Sequence, residues 1–209
     1  YGGSQWFYSG FGLGGIDFTS KLQYDNVTVA AYGPNVSTRP LISGLRTVPA
    51  GSWNSVGNNV YWTSETNGGL AIRGGQVLKC KFVDNGINSL VDDSFYWDNY
   101  QNRIYIKISG SINDAPLQVT SGQCILLIGA PYPQTNHRKN ILIDGISIQG
   151  ASTHIITTGY VDNYTLINCD IQYSGGNRQS QYYLGNCVEL AQGSVNGLIQ
   201  GCTIKNAYD

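Results

Sequence analysis

The chain has 209 residues and a formal net charge of −1 at pH 7, so it can bury a sizeable core and has no electrostatic reason to bind nucleic acid or an anionic membrane. Charged residues make up only 12%, against roughly 25% in ordinary globular proteins, whereas glycine (27) and tyrosine (15) are abundant. This composition favours turn-rich β structure. The apolar runs are far shorter than the roughly 20 residues that cross a bilayer, so no membrane insertion is expected.

The first 120 residues contain short strand-like segments that glycine or proline interrupts. They are VTVAAYG (27–33), PLISG (40–44), GLAIRGG (69–75) and VLKCKF (77–82). The segment SFYWDNYQNRIYIKI (94–108) follows, and its pattern predicts two strands joined by a turn near residues 99–102, which is a β-hairpin.

A repeat dominates the last seventy residues, where three segments superimpose without gaps. They are ILIDGISIQG (141–150), TLINCDIQY (165–173) and GLIQGCTIKN (197–206). Gly145, Asn168 and Gly201 fall on one position, and these residue types tolerate a left-handed backbone conformation. Each repeat therefore predicts a strand, a sharp bend and a second strand. The side chains that follow the bend are predicted to alternate between an inward stack and an outward stack: inward Cys169 and Cys202, and outward Asp170 and Thr203.

A second family of strands lies between these repeats. HIITT (154–158) aligns with CVELA (187–191), and QCILLIG (123–129) supplies the preceding member. Three short strands in a coil of about 23 residues predict an all-β, parallel β-helix, a solenoid, with a loop insertion near 174–183. The alternative is an antiparallel sandwich, which does not require this repeat to stay in register.

On this prediction, residues 1–209 form a single β-helix domain. Residues 1–120 make irregular early coils, 121–209 make regular coils, and the 94–108 hairpin projects from the solenoid or pairs along its edge. Both ends of the chain look like cuts through a longer solenoid. An open end exposes unpaired backbone, so a homo-oligomer, either a trimer or a filament, is a further expectation.

The phrases VTVAAYGPN, PLISG, NILIDGISIQG and NGLIQGCTIKNAYD, together with the FYWD and NRIYIKI hairpin, carry a family resemblance. The chain resembles the secreted right-handed parallel β-helix proteins of the pectate-lyase-like superfamily, which include polysaccharide lyases, glycoside hydrolases and phage tail spikes. The resemblance implies a polysaccharide partner and a secreted, extracellular or virion-surface location. Its motifs are architectural and do not identify one reaction.

Members of that superfamily that hydrolyse glycosides use paired carboxylates, whereas lyases use a basic residue and often calcium. Glu189 alternates with inward-predicted neighbours and is the first candidate for an outward carboxylate. Asp170 projects outward in the repeat, and Asp209 follows the last strand. Arg178 in the inserted loop, with Lys205 as a further cation, is the candidate clamp or base. The aromatic candidates for stacking on sugar rings are Tyr182, Tyr183, Tyr132 and Trp97.

The five cysteines have no metal-ligand spacing with the two histidines, so neither a metal site nor a cofactor is predicted, apart from calcium if the protein is a lyase. Cys169 and Cys202 are predicted to be neighbours in one stack, either bridged or reduced. His154 is assigned a structural role. The sequence favours a polysaccharide-binding and polysaccharide-cleaving enzyme, and the alternative is a non-catalytic adhesive β-helix, such as a tail-spike or fibre segment.

Overall fold

The computed structural model describes residues 5–7, 16–17, 25–31, 39–65, 67–81, 83–120, 122, 125–129, 137–179, 182–191 and 193–208. Regular structure within these residues is almost entirely β. The strands are β1 (Gln5–Phe7), β2 (Ile16–Asp17), β3 (Val27–Ala30), β4 (Leu41–Ser43), β5 (Leu45–Val48), β6 (Asn54–Gly57), β7 (Val60–Ser64), β8 (Ala71–Arg73), β9 (Gln76–Val77), β10 (Lys79–Cys80), β11 (Ser94–Asp98), β12 (Arg103–Lys107), β13 (Leu117–Thr120), β14 (Leu126–Gly129), β15 (Arg138–Asp144), β16 (Ser147–Ala151), β17 (Ile156–Gly159), β18 (Val161–Ile167), β19 (Asp170–Ser174), β20 (Asn177–Gln179), β21 (Tyr182–Leu184), β22 (Val188–Ala191), β23 (Leu198–Gln200) and β24 (Thr203–Lys205). Short 3-10 segments cover Ala50–Ser52 and Val83–Ser89. None of the described helical segments is long and apolar enough to cross a membrane.

Three parallel sheets are built from strands that are far apart in sequence. Sheet 1 has the order β1-β4-β16-β19-β24, sheet 2 the order β2-β14-β17-β22, and sheet 3 the order β3-β15-β18-β23. The chain passes through sheets 2, 3 and 1 in that order and then repeats the sequence of sheets. We call each passage through all three sheets a circuit. Circuit 1 is β2–β4, circuit 2 is β14–β16, circuit 3 is β17–β19 and circuit 4 is β22–β24. The prediction of an all-β chain with parallel sheets is therefore confirmed.

The predicted repeat alignment also agrees with the strand register. Ile143 pairs with Leu166, which pairs with Ile199, and Ile148, Ile171 and Ile204 pair in the same way. The bend positions Gly145, Asn168 and Gly201 have φ angles of 67°, 53° and 61°, so the left-handed bend is present in all three circuits. In sheet 2 the predicted pairing slips by one residue, because Ile156 lies opposite Val188.

A ladder of asparagine side chains, which is not among the features predicted from the sequence, runs along sheet 3. Asn140 Nδ2 donates to Asn26 Oδ1 at 2.7 Å, Asn163 Nδ2 to Asn140 Oδ1 at 3.0 Å, and Asn196 Nδ2 to Asn163 Oδ1 at 3.2 Å. All four residues have positive φ, between 56° and 65°. Each amide thus satisfies the next one, and the ladder fixes the start of the sheet 3 strand in every circuit.

Residues 45–120, from β5 to β13, form an insert between circuits 1 and 2. Sheet 4 has the order β5-β13-β8-β9 and sheet 5 the order β6-β7-β12-β11-β10, and the pairings are antiparallel except for β10 with β11. The expectation of irregular coils over 1–120 thus differs from the structure in this range. The reason is that alternation of apolar and polar residues predicts a strand without giving the direction of its partner.

The turns of the insert carry the missing information. Asn58 and Asn59 join β6 to β7 with φ angles of 52° and 60°, and Gly74 and Gly75 join β8 to β9 with φ angles of 55° and 82°. Two successive positive φ angles are typical of the two-residue turns of antiparallel hairpins. The predicted hairpin at 94–108 is present as β11 and β12, but β12 also pairs with β7, so the hairpin is part of sheet 5 and does not project alone.

The circuits and the insert have separate cores. One apolar cluster lies inside the circuits and includes Ile143, Ile148 and Leu166, whereas another lies in the insert and includes Phe95 and Ile106. A small cluster of Leu45, Leu70 and Ile72, with Tyr173 packed against it, connects them. The insertion predicted at 174–183 lies between β19 and β22, and part of it is paired as the hairpin β20–β21.

Candidate functional site

Glu189 lies on β22, in the circuit 4 strand of sheet 2. Its side chain is one-third exposed, which agrees with the predicted outward direction, since neighbouring Val188 packs against the core. Thr157, its partner in the strand register, donates a hydrogen bond from Oγ1 to Glu189 Oε2 at 2.8 Å. The carboxylate is therefore fixed in position while it stays open to solvent.

His154 lies just before β17 and is buried. The backbone N–H of Asn186 donates to His154 Nδ1 at 3.3 Å, so the neutral imidazole carries its hydrogen on Nε2. That Nε2 atom is 3.4 Å from Glu189 Oε2. His154 thus faces the candidate carboxylate, whereas the sequence prediction gave it only a structural role.

The three side chains make a small polar site on sheet 2. The Thr157 hydroxyl and the His154 imidazole both face Glu189 Oε2, and within the described part of the chain Oε1 has no hydrogen-bond partner. A carboxylate with one oxygen fixed and the other open can accept a hydrogen bond from a ligand hydroxyl or exchange a proton with it.

Asp170 lies elsewhere, at the start of β19 in sheet 1. Its carboxylate forms an ion pair with Arg39, with 2.7 Å between Arg39 Nη1 and Asp170 Oδ2, and both side chains are about one-third exposed. Asp170 and Glu189 are therefore on different sheets, with different polar partners. Asp209, the third predicted carboxylate, lies outside the described residues.

The predicted residues of the 174–183 insertion meet in the hairpin. Arg178 pairs with Tyr183, and Gln179 with Tyr182, across β20 and β21. The hairpin starts after Ser174 and ends just before Asn186, the residue that binds His154. The base of the hairpin is thus next to the Glu189 site.

The other predicted residues are not part of this group. Trp97 is in the insert, where its Nε1 donates to the backbone oxygen of Glu65 at 3.0 Å and its ring packs against Gly68. Lys205 is exposed on β24 of sheet 1, in register with Gln172. Tyr132 lies outside the described residues.

A cavity of about 450 Å³ lies between the insert and the ends of circuits 3 and 4. Its volume is within the usual range for small-molecule sites. Tyr208 forms one wall, with its ring against Gly176, and its backbone N–H donates to Gly185 O at 3.1 Å. The remaining wall is mainly apolar and includes one charged residue, Lys79, with the lining completed by Gly69, Leu70, Val77, Leu78, Cys80, Phe95, Ser174, Gly175, Asn206 and Ala207. The cavity therefore adjoins the base of the hairpin.

The described cysteines form no disulfide bonds. Cys169 and Cys202 are stacked neighbours as predicted, and the backbone N–H of Cys169 donates to Cys202 Sγ at 3.4 Å. Burial raises the pKa of Cys169 to about 11 and that of Cys80 to about 12, so these thiols are poor nucleophiles at neutral pH. Within the described ranges, no group of three or more His, Cys, Asp or Glu side chains is placed to hold a metal ion.

Comparison with known proteins gives a likeness in fold. No protein-family model and no curated protein matches the chain. A similar solved structure is that of XylC in complex with xylose, at 11% sequence identity and a TM-score of 0.53. The match covers 81% of this chain and 34% of XylC, so the chain spans about a third of that protein's length. At this identity the likeness concerns the fold alone.

Proposed function

We propose that the chain is a stretch of right-handed parallel β-helix of the pectate-lyase-like type that binds polysaccharide outside the cell or on a virion surface. Four circuits through three parallel sheets, in-register apolar stacks and an asparagine ladder support this architecture. The likeness to XylC, which was solved with xylose, supports a carbohydrate as ligand.

The observation that carries the proposal is the fixed, open carboxylate of Glu189 beside an inserted hairpin. A glycan needs hydrogen-bond acceptors for its hydroxyl groups and flat aromatic surfaces for its apolar ring faces. Glu189 supplies the acceptor, and Tyr182 and Tyr183 of the hairpin are the proposed stacking residues. The polysaccharide would lie along sheet 2 and contact the hairpin.

Cleavage of the polysaccharide is the second proposed function, and the His154–Glu189 contact favours it. A carboxylate with an imidazole N–H at 3.4 Å can act as a general acid or base. Hydrolysis needs a second carboxylate, and because Asp170 is paired with Arg39 on another sheet, Asp209 is the remaining partner from the predicted set. Elimination would instead use Arg178 or Lys205 as base, with calcium neutralising a uronate.

The experiment is a binding and turnover panel of xylan, polygalacturonate and alginate, with and without calcium. Reducing ends report hydrolysis, and ultraviolet absorbance of unsaturated uronates reports elimination. If Glu189 is catalytic, Glu189→Gln removes turnover while binding is retained. Asp92→Asn, which changes an exposed carboxylate of the insert, serves as the matched control.

The outcomes distinguish a polysaccharide-cleaving enzyme from a protein that only binds polysaccharide. Binding without turnover in the unchanged protein supports the adhesive alternative, a fibre or tail-spike segment that works as a trimer or filament. Turnover that survives Glu189→Gln rejects Glu189 as the catalytic residue. The absence of binding to all three polysaccharides contradicts the proposed function.

A further inference from the structure

A second polar group lies at the corner between sheet 2 and sheet 3, where the chain passes from β17 to β18. Tyr160 is the corner residue of circuit 3, and its backbone oxygen accepts a hydrogen bond from Arg138 at 2.9 Å. His137, the residue before Arg138, therefore takes the corner of circuit 2, and Gly193 takes that of circuit 4. Tyr160 has a φ of 56°, which is unusual for a bulky side chain.

His137 forms a short hydrogen bond to Asp162 of the next circuit. His137 Nδ1 and Asp162 Oδ1 are 2.6 Å apart, and the two side chains are 32% and 27% exposed. An ionised carboxylate only accepts hydrogen bonds, so His137 Nδ1 carries the hydrogen and the neutral ring has its lone pair on Nε2. Asp162 thus fixes the tautomer in which Nε2 is an acceptor.

Circuit 4 has a glycine next to this pair, so residue 193 places no side chain over the two rings. A Cβ at Gly193 would lie 3.5 Å from Tyr160 Cδ1 and 3.9 Å from His137 Cε1. A ligand group that takes the place of this missing side chain contacts both rings at once. The rings themselves meet edge to face, with centroids 5.6 Å apart.

We infer that His137, Asp162 and Tyr160 form a second sugar position beyond the carboxyl ends of the sheet 2 strands, whereas Glu189 lies near the amino end of its strand. His137 Nε2 accepts a hydrogen bond from a sugar hydroxyl, Tyr160 packs on the sugar ring, and Asp162 is a positioning residue that acts through His137. This inference rests on the proposed binding of polysaccharide. Glu189 and Gly193 are four residues apart, a span of at most about 14 Å, so an oligosaccharide is long enough to reach both positions.

The chain has two histidines, and one belongs to each position, so nitrogen NMR of ¹⁵N-histidine-labelled protein tests the inference directly. The probes are xylose, xylohexaose and hexagalacturonate. We expect a bound hexasaccharide to shift the His137 Nε2 resonance as well as those of His154. A hexasaccharide that binds and shifts only His154 overturns the inference and leaves the proposed function standing. If neither hexasaccharide binds, both the inference and the proposed function are wrong.

Variants provide a second measurement on the same site. His137→Gln removes the aromatic acceptor and should weaken hexasaccharide binding by about 2- to 10-fold, the usual effect of one hydrogen bond. Asp162→Asn should change the ratio of the two His137 tautomers in the nitrogen spectrum, which a merely structural carboxylate would not do. Asp144→Asn, a carboxylate change elsewhere on sheet 3, is the control and should alter neither. Unchanged affinity in His137→Gln contradicts the inference.

Discussion

The circuits and the insert pair their strands in different ways. From circuit 2 to circuit 4, a strand pairs with one that follows 23 to 33 residues later, as Ile143 with Leu166 and Leu166 with Ile199. In the insert, several strands that are adjacent in sequence pair across short turns, such as the one at Asn58 and Asn59, and other strands, such as β7 and β12, pair over longer separations. The circuits therefore need the same kind of residue at the same place in every circuit, whereas the insert needs special residues only at its turns.

This difference explains where stability depends on single residues. In the circuits, one bend or ladder residue contacts its equivalents in the neighbouring circuits, so the interactions form chains along the molecule. In the insert, cross-strand neighbours can be of different types, as where Ile106 lies between Phe95 and Tyr61. We expect the two regions to respond separately to core changes and together to changes at their junction.

The largest effect is expected from truncating the two cores. Ile143→Ala in the circuits and Ile106→Ala in the insert each empty a fully buried position and should lower the free energy of unfolding by about 2–5 kcal/mol. Trp53, Trp62 and Trp97 are in the insert, so tryptophan fluorescence should report Ile106→Ala more strongly than Ile143→Ala.

Far-UV circular dichroism in urea reports both regions in the same samples. Val56→Ala is the control, because Val56 is half exposed and its truncation should change stability by less than about 0.5 kcal/mol. If both core variants shift the fluorescence and dichroism transitions equally, the molecule unfolds as one unit and the separation of the two regions is wrong.

The junction should give the next largest effect. A Cβ at buried Gly69 would overlap the backbone oxygen of Ser152, where the insert packs on the end of circuit 2. Gly69→Ala should therefore cost about 1–3 kcal/mol and lower both transitions. Gly51 has open space around it, so Gly51→Ala is the matched control for the change in backbone freedom. If the two variants have equal free energies of unfolding, the junction accommodates the added methyl group without loss of stability.

Removing one step of the asparagine ladder should have a moderate effect. Asn163→Ala removes the hydrogen bond that Asn163 donates to Asn140 and the one that it accepts from Asn196. It also places alanine at a φ of 60°. We expect a loss of about 1–2 kcal/mol, measured by urea unfolding. Asn163→Gly removes the same hydrogen bonds without the backbone strain, so it should lose less. A glycine variant as unstable as the alanine variant would assign the whole effect to the ladder.

Much of the circuit architecture could be predicted because stacking repeats residue types in register. The bends at Gly145, Asn168 and Gly201 were visible in this way. The ladder has an equally clear signal in the sequence, since an asparagine stands three residues before each of the predicted stack members Ile143, Leu166 and Ile199. The antiparallel insert was not predicted because the alternation of apolar and polar residues in its strands does not give the direction of the partner strand, although Asn-Asn and Gly-Gly stand at two of its turns.

The candidate site was only partly predictable for the same physical reason. The alternation along β22 predicts that Glu189 points outward, but the contact of His154 with it depends on the path of the chain before β17. The Arg39–Asp170 ion pair joins residues 131 positions apart, in different circuits. Pairings of this kind depend on three-dimensional packing that no local spacing encodes.

The smallest effect, and the sharpest test of the packing within the circuits, is expected at Tyr164. Its ring fills the interior beside Gly197, its hydroxyl is buried and has no hydrogen-bond partner among the described residues, and burial raises its pKa from 10.0 to about 12. Tyr164→Phe removes this unpaired group and should change stability at pH 7 by between 0 and about 1 kcal/mol, in the stabilising direction.

The pH dependence gives the change a clear sign. Below pH 10 the hydroxyl is protonated in both states, so it adds no pH dependence, whereas between pH 10 and 12 the unfolded chain ionises and the folded chain does not. The unchanged protein should therefore lose stability across this range, and Tyr164→Phe should lose less of it. Urea midpoints at pH 9 and pH 11.5 measure the difference. If both proteins lose the same stability between these pH values, the Tyr164 hydroxyl has a hydrogen-bond partner or reaches solvent, and circuit 4 does not pack closely on Tyr164 at Gly197.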